Sequence, residues 1–349
     1  MDPVVSGIAR ARALREALSH GPAGEALLQA TVAQGFAREV AAAGIAAELE
    51  SWRDDQLEVL LGEVASETDR WPRAVLILAA RTLPASAMRQ VFLARALGAR
   101  AHLKSASGQG ALGDAMAMAD AGVESVPFTS DDGEALAREV ERADTVVVLG
   151  SDETVASVSR HVSRIKGFAG HGHKVSAALV TRSPTADELD GLARDLLAWD
   201  QAGCLAPLCV WTTTDRKTLA EKLAQAIARR EVELPLAEAK RTVQTVARRE
   251  MTTLATMLGE AAFSTATATL ATHPEAGLRI PPGPRCLWVL PFSPAALEAA
   301  TPVLSSLAVV GEAGPLDGAI RVCGPGELQR PALSWRQDGL HPLRSLLRR

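Results

Sequence analysis

The segment Asp200–Pro207 (DQAGCLAP) contains the residue type best suited to covalent chemistry, Cys204. A cysteine thiolate is a strong nucleophile, and backbone N–H groups at the end of one element and the start of the next can stabilise it. A buried structural cysteine is the alternative, because an isolated cysteine most often serves as a small apolar side chain. Cys209, Cys286 and Cys323 form with it no CxxC pair and no zinc-ligand spacing. A disulfide framework is therefore not expected.

Two histidines alternate with glycine in Gly170–Lys174 (GHGHK). His171 and His173 can each act as a general acid or base near neutral pH. A structural histidine bonded to backbone is the alternative for both. A metal site at this His-x-His pair is not expected, because no third ligand follows at a recognisable spacing.

Two glycine-containing turns are candidates for binding a dinucleotide. Gly150 and Ser151 follow an apolar strand-like run, and Ser151 can equally act as a plain helix cap. Gly108–Gly113 (GQGALG) satisfies G-x-G-x-x-G between a short strand and a helix, and Asp131 follows at roughly the distance of the ribose-binding acid. Glycine-rich turns also match this pattern by chance, so both candidates stay open.

Short continuous apolar runs alternate with segments of helical periodicity, which indicates parallel strands covered on both faces by helices. The predicted strands are Ala74–Ala80, Ala101–Lys104, Ser125–Phe128, Thr145–Leu149, Lys174–Val180, Cys209–Thr212, Arg285–Pro291 and Ser306–Val310. The predicted helices are Ala11–Leu18, Ala26–Val40, Leu57–Val64, Ala85–Leu97, Gly113–Asp120, Gly133–Arg142, Thr185–Trp199 and Leu219–Arg230. The pattern predicts an α/β fold, with a doubly wound nucleotide-type domain up to about residue 169 and a second α/β domain after it.

Composition narrows the class of protein. The 349 residues carry a net charge of −4 without a basic run, which argues against a nucleic-acid partner. No apolar stretch approaches the ~20 residues of a membrane span. Met1–Arg10 lacks the apolar core of a secretory signal, so the expected location is the cytoplasm.

Four ordered blocks, spread from about residue 74 to the end of the chain, resemble the fatty acyl-CoA reductase (LuxC-type) family, a branch of the aldehyde dehydrogenase superfamily. Trp199–Cys204 (WDQAGC) looks like its cysteine motif. Asp144–Val155 is similar to the strand and Gly-Ser turn that faces the cofactor pyrophosphate. Gly172–Ser176 resembles the block that enters the catalytic domain, and Ile320–Gly339 resembles the C-terminal signature.

The resemblance implies a mechanism in which the Cys204 thiolate attacks an acyl-CoA or another acyl thioester, coenzyme A leaves, and NADPH or NADH supplies hydride to release an aldehyde. It assigns catalysis to Cys204, His173 and Thr82, and cofactor binding to Lys104, Gly150, Ser151 and Thr154. Gly170 stands where hydrolytic relatives carry a water-activating glutamate, which favours hydride transfer over hydrolysis.

The resemblance also implies an aldehyde dehydrogenase-like architecture and assembly as a homo-oligomer. It predicts N-terminal helices with a cofactor-binding domain over residues 1–169 and a catalytic domain over 170–325. A C-terminal segment over 326–349 is expected to return to the domain junction.

Two departures from the family pattern leave alternatives open. Thr82 stands where the superfamily usually has an asparagine that helps to hold the oxyanion, and Lys104 lacks the proline that usually follows it. Removing an oxyanion donor costs roughly 10²–10³ in rate in a studied hydrolase. One alternative is therefore a non-catalytic subunit that scaffolds or regulates an acyl-transfer partner enzyme. The other is an enzyme of the same fold that acts on an acyl phosphate or a carrier-bound thioester.

Overall fold

The computed structural model describes residues 2–129, 131–316 and 320–349. The chain divides into two compact units. Unit 1 comprises Met1–Gln34, Gly44–His173 and Ala332–Arg349, and unit 2 comprises Gly35–Ala43 and Lys174–Pro331. The predicted functional boundaries near residues 169 and 325 stay a prediction.

Unit 1 combines an N-terminal group of helices with a parallel sheet. Its strands are β1 (Ala74–Leu78), β2 (Arg100–Lys104), β3 (Val123–Ser125), β4 (Thr145–Leu149) and β5 (Gly167–His171). The helices of the first part of the chain are α1 (Pro3–Ser19), α2 (Gly21–Ala33), α3 (Arg38–Ser51, which begins in unit 2), α4 (Asp54–Val64), α5 (Pro84–Ala96), α6 (Gly110–Ala119), α7 (Gly133–Arg142) and α8 (Asp152–Ser159). A 3-10 helix, Ala65–Arg70, follows α4.

The unit 1 sheet has the strand order β3-β2-β1-β4-β5, and every pairing is parallel. All residues of β1 and β4 are buried, as expected for central strands with helices on both faces. The strand order reverses between β1 and β4, which is where open α/β sheets bind ligands, at the carboxyl ends of the strands. The doubly wound α/β prediction is confirmed.

The C-terminal residues return to this sheet. The buried Thr145 hydroxyl donates to the carbonyl oxygen of Leu346 at 2.7 Å. A Cβ atom on Gly167 would lie 2.6 Å from the carbonyl oxygen of Leu347, so the close approach of the two segments requires glycine there.

Unit 2 contains a larger, mixed sheet. Its strands are β6 (Val175–Val180), β7 (Pro207–Thr212), β8 (Ala262–Ser264), β9 (Thr269–Thr272), β10 (Cys286–Pro291), β11 (Leu304–Val310) and β12 (Arg321–Cys323). Its further helices are α9 (Ala186–Leu197), α10 (Arg216–Arg230), α11 (Glu238–Met257) and α12 (Pro294–Ala300). The order is β12-β11-β6-β7-β10-β9-β8. Among the described residues of this sheet, the β8–β9 pair is antiparallel and the other pairs are parallel. Separate apolar clusters, around Leu192 and Trp211, form the core.

Several predicted elements differ from the structure. The predicted helix Ala11–Leu18 is part of α1, which begins eight residues earlier at Pro3. The third strand lies at Val123–Ser125 and shares only Ser125 with the predicted run. The predicted helix Ala26–Val40 is two helices, because the chain leaves α2 after Ala33 and passes through Gly35 at a φ of 89°. The predicted helix ending at Trp199 stops at Leu197, where the chain enters a left-handed turn.

Candidate active site

Cys204 lies in a turn at the amino end of β7 in unit 2 and is partly exposed. Its carbonyl oxygen accepts a hydrogen bond from the Ser176 hydroxyl at 2.7 Å, which ties the turn to β6. Gly203, directly before it, has a φ of 87°, a conformation that favours glycine. The backbone around the thiol is therefore fixed from both sides.

The other three cysteines are poor nucleophiles. Burial raises the pKa of Cys286 to about 12 and that of Cys323 to about 11. Burial also raises the pKa of Cys209, which is fully buried in β7. Because the thiolate is the reactive form, a raised pKa makes these side chains weaker nucleophiles at neutral pH than an ordinary cysteine. Cys204 is the cysteine that the structure leaves suited to chemistry.

The turn before Cys204 is left-handed over three successive residues that are not glycine. Trp199, Asp200 and Gln201 have φ values of 53°, 53° and 63°. This conformation costs an L-residue about 1–2 kcal/mol, and a run of three is seldom seen. Such strain persists only where surrounding contacts hold it.

The side chains of this turn are anchored within unit 2. The buried Asp200 carboxylate accepts hydrogen bonds from Arg285 at 2.6 Å and from Lys240 at 2.7 Å. The Gln201 amide bonds the backbone of Cys286 through both its oxygen and its nitrogen. The sequence did not indicate either anchor, although Asp200 and Gln201 stand in the same segment as Cys204.

In unit 1, the residues predicted to bind a cofactor lie at the carboxyl ends of β2 and β4. Lys104 ends β2, and burial lowers its pKa. Its ammonium group lies 5.6 Å from the centroid of the Phe128 ring. Ser151 caps α8, since its hydroxyl accepts the backbone N–H of Thr154 at 3.3 Å. The N–H of Gly150 donates to the carbonyl oxygen of His171 at 3.1 Å.

The two histidines at the end of β5 have different environments. His171 is buried, and its Nδ1 atom lies 2.8 Å from Oδ2 of Asp338. His173 is exposed, and its backbone N–H donates to Oδ1 of Asp152 at 2.9 Å. We did not predict the role of Asp338, although it stands in the Trp-x-x-Asp-Gly part of the C-terminal signature.

Gly170, where the resemblance predicts the place of a water-activating glutamate in hydrolytic relatives, is closely packed. A Cβ atom there would lie 2.4 Å from Cγ1 of Val155 in α8. A glutamate would therefore require α8 to move. Gly170 supplies no carboxylate, and its packing against α8 leaves no room for one.

Thr82 is exposed in the bend between β1 and α5.

The three glycines of the G-x-G-x-x-G match lie in different structural settings. Gly108 turns the chain at a φ of 81°, and a Cβ on Gly113 would lie 2.5 Å from the Ser125 hydroxyl. A Cβ on Gly110 would meet nothing within 4 Å.

Within residues 2–129, 131–316 and 320–349 there is no group of three or more His, Cys, Asp or Glu side chains suited to holding a metal ion. Over the same described residues, no helix combines the length and the apolar character needed to cross a bilayer.

Comparison with solved structures gives the fold. The chain is similar to an NAD-dependent aldehyde dehydrogenase from Sinorhizobium meliloti, with 18% identity over 88% of this chain and 71% of that chain and a TM-score of 0.61. It is similar to methylmalonate-semialdehyde dehydrogenase from Oceanimonas doudoroffii, with 12% identity over 99% of this chain and 85% of that chain and a TM-score of 0.68. It is also similar to an NAD-dependent benzaldehyde dehydrogenase from Corynebacterium glutamicum, with 16% identity over 95% of this chain and 83% of that chain and a TM-score of 0.63. The aldehyde dehydrogenase-like fold class is confirmed.

No curated protein sequence matches the chain. The family model described as acyl-CoA reductase (LuxC) matches residues 114–349, which is more than half of the chain. The match includes Cys204, both histidines and the Gly150–Thr154 turn, and it begins after Thr82 and Lys104. With its aldehyde dehydrogenase fold and its cysteine in this setting, the chain belongs to the acyl-CoA reductase (LuxC) family of enzymes.

Proposed function

We propose that the protein reduces an acyl-CoA, or another acyl thioester, to an aldehyde with NADPH or NADH through a thioacyl intermediate on Cys204. The observation that carries this proposal is the contrast among the cysteines. Cys204 is partly exposed and stands in the segment that resembles the family's cysteine motif. Cys209 and Cys286 are buried, and burial raises the pKa of both of these thiols and of the partly exposed Cys323.

The first step follows from the thiol. The Cys204 sulfur forms a bond to the carbonyl carbon of the thioester, and the bond from that carbon to the sulfur of coenzyme A breaks. Coenzyme A leaves as a thiolate and takes up a proton. The missing carboxylate at Gly170 and the tight contact of that residue with Val155 disfavour attack by water. The acyl group is thus kept for reduction.

The unit 1 residues fit a dinucleotide cofactor. The sheet reverses its order between β1 and β4, and the Ser151–Thr154 start of α8 follows β4. Helix N-termini at this edge favour pyrophosphate, and the buried Lys104 ammonium is suited to a ribose hydroxyl. When bound, a nicotinamide supplies hydride to the acyl carbon. We therefore assign cofactor binding to residues 1–169, catalysis to 170–325, and a supporting role to 326–349.

Proton transfer falls to the histidines at the end of β5. The sequence predicts His173, and the contact with Asp338 favours His171, because a carboxylate at Nδ1 fixes the orientation of the ring. Thr82 is assigned one hydrogen bond to the developing oxyanion, which a hydroxyl can donate.

A reduced thiol requires a reducing compartment, so we propose the cytoplasm. We also propose a homo-oligomer.

A non-catalytic scaffold for an acyl-transfer partner is the second candidate. The exposed Thr82 in the place of an oxyanion-binding asparagine favours it. Such a scaffold should show little thermal shift with either nicotinamide cofactor.

Intact-protein mass spectrometry after mixing with a panel of acyl-CoAs tests the proposal. The wild type and Cys323→Ala should gain one acyl mass, Cys204→Ala should not, and NADPH should then discharge the adduct. If the folded wild type forms no adduct at any acyl length, the reductase proposal is wrong and the scaffold takes its place.

A further inference from the structure

We propose that Gln201 and Asp200 are positioning residues for the Cys204 thiol. They hold the left-handed turn Trp199–Gln201 through bonds to other strands and helices of unit 2. The inference rests on the proposed function, because it concerns the nucleophile of that reaction.

The Gln201 amide is fully used by backbone groups of two neighbouring strands. Its nitrogen donates to the carbonyl oxygens of Pro207 at 2.7 Å and Cys286 at 2.6 Å. Its oxygen accepts the N–H of Cys286 at 2.9 Å. Pro207 begins β7 and Cys286 begins β10, and these strands are paired in parallel. One side chain therefore fixes the distance from the amino ends of both strands to the turn that leads into Cys204.

Asp200 fixes the same turn from its other side. Arg285 is completely buried and donates to Oδ1 of Asp200 from two nitrogens, at 3.1 and 2.6 Å. Arg285 itself has a φ of 53° and precedes Cys286 directly, so both anchors meet at the start of β10. Its remaining donors bond the Thr267 hydroxyl at 2.8 Å and the carbonyl oxygen of Pro235 at 3.2 Å. The arginine is thus fixed independently of the turn that it holds.

Two further contacts come from Lys240 in α11 and from Phe36 in the segment Gly35–Ala43 of unit 2. Lys240 donates to Oδ2 of Asp200 at 2.7 Å, and its ammonium group lies 3.6 Å from the centroid of the Phe36 ring. Phe36 also contacts Trp199 edge to face, with ring centroids 5.5 Å apart. All three residues of the strained turn are therefore held by partners distant in sequence.

The anchored left-handed turn has more conformational strain and more buried polar contacts than a simple connection between α9 and β7 requires. A loop that only connects α9 to β7 has no requirement for three left-handed residues, whose strain must be offset by buried polar contacts. Because the turn ends at Gln201, three residues before Cys204, rotation of its peptides would displace the sulfur. Displacing a nucleophile by about 1 Å is enough to cost on the order of 10² in rate.

The test compares Gln201→Leu with Gln244→Leu. Both glutamines belong to unit 2; Gln244 is buried and Gln201 is partly buried. The side-chain nitrogen of Gln244 donates to the Thr269 hydroxyl at 3.4 Å. The readouts are the rate of Cys204 alkylation by iodoacetamide, followed on its peptide by mass spectrometry, and kcat and KM for acyl-CoA. Gln201→Leu should slow alkylation and kcat at least tenfold with KM little changed, whereas Gln244→Leu should leave both near the wild-type values.

Equal losses in the two variants would mean general destabilisation, and no loss in Gln201→Leu would mean that the turn does not position the thiol. Either result overturns the inference. If Gln201→Leu does not fold, Lys240→Met replaces it. This change removes a partly exposed partner of Asp200 and should slow alkylation about threefold, and an unchanged rate would overturn the inference. Alkylation needs no acyl-CoA, so the comparison is decided even if the wild type proves unable to reduce thioesters.

Discussion

The imidazole Nδ1 of His171, at the end of β5, lies 2.8 Å from a carboxylate oxygen of Asp338, 167 residues further along the chain. Asp338 itself adopts a left-handed φ of 55°. Both residues belong to unit 1, and the C-terminal segment brings them together. A carboxylate at one ring nitrogen fixes the tautomer and leaves the other nitrogen for proton transfer.

We therefore expect His171 and Asp338 to act as one unit. His171→Gln and Asp338→Asn should each lower kcat/KM for acyl-CoA by about 10²-fold, the size of a general acid–base contribution. The double variant should be no worse than the more damaged single variant, because residues that act together are not additive. His173→Gln in the same assay is the comparison, and a larger loss there than in His171→Gln would assign proton transfer to His173.

Thiol labelling should be selective for one cysteine. At pH 7.5 iodoacetamide should modify Cys204 at least about tenfold faster than Cys209, Cys286 or Cys323, because burial keeps these three protonated. Peptide mass spectrometry measures each rate, and labelling in urea should make the four alike. Fast labelling of Cys286 in the folded protein would contradict the structure.

The Asp195 carboxyl should make stability fall as the pH rises. Burial raises its pKa to about 7, whereas an aspartate in the unfolded chain titrates near 4. Between these values the folded state binds one more proton than the unfolded state, so the free energy of unfolding decreases from about pH 4 to about pH 7, by at most about 4 kcal/mol.

Asp195→Asn should remove that part of the pH dependence, measured by urea unfolding at pH 5 and pH 8. Asp187→Asn, at an exposed position of the same helix, is the control and should leave it unchanged. If the free energy of unfolding of the wild type rises between pH 5 and pH 8, and Asp195→Asn removes that rise, the prediction is wrong.

The glycines of Gly108–Gly113 offer a test that separates packing from cofactor binding. Gly113→Ala should destabilise the protein by about 1–3 kcal/mol, because its Cβ would lie 2.5 Å from the Ser125 hydroxyl. Gly110→Ala meets nothing within 4 Å at the start of α6 and should be neutral or slightly stabilising. Both effects are read from thermal unfolding. A thermal shift with NADPH that survives Gly110→Ala supports the Ser151 turn as the cofactor site, and its loss would support the glycine-rich loop.

The fold could be predicted where each element carries its own pattern. Thr145–Leu149 is a strand with the predicted bounds because five apolar or β-branched residues in succession suit a strand buried on both faces. β5 (GFAGH) was missed, since two glycines and a histidine weaken any strand signal, and its position depends on the adjacent β4 and on the C-terminal return. Ala26–Val40 was predicted as one helix because the apolar period continues across the break.

The candidate site was predictable only as residue types. Cys204 and the Gly150–Ser151 turn stand in short local motifs. The contacts that orient the turn do not, because Asp200 and Arg285 are 85 residues apart and nothing in either neighbourhood indicates the other. A left-handed conformation at three residues that disfavour it is a tertiary effect, imposed by buried partners against local preference.

The return of Ala332–Arg349 to unit 1 bears on how the protein is made. All of unit 2 is translated before this segment leaves the ribosome. β4 and β5 are translated much earlier, so they lack their contacts with the C-terminal segment during that time. Until then the Thr145 hydroxyl lacks the acceptor that Leu346 provides, and the surface around Gly167 is uncovered. Unit 1 can therefore complete its packing only after residues 332–349 have been synthesised.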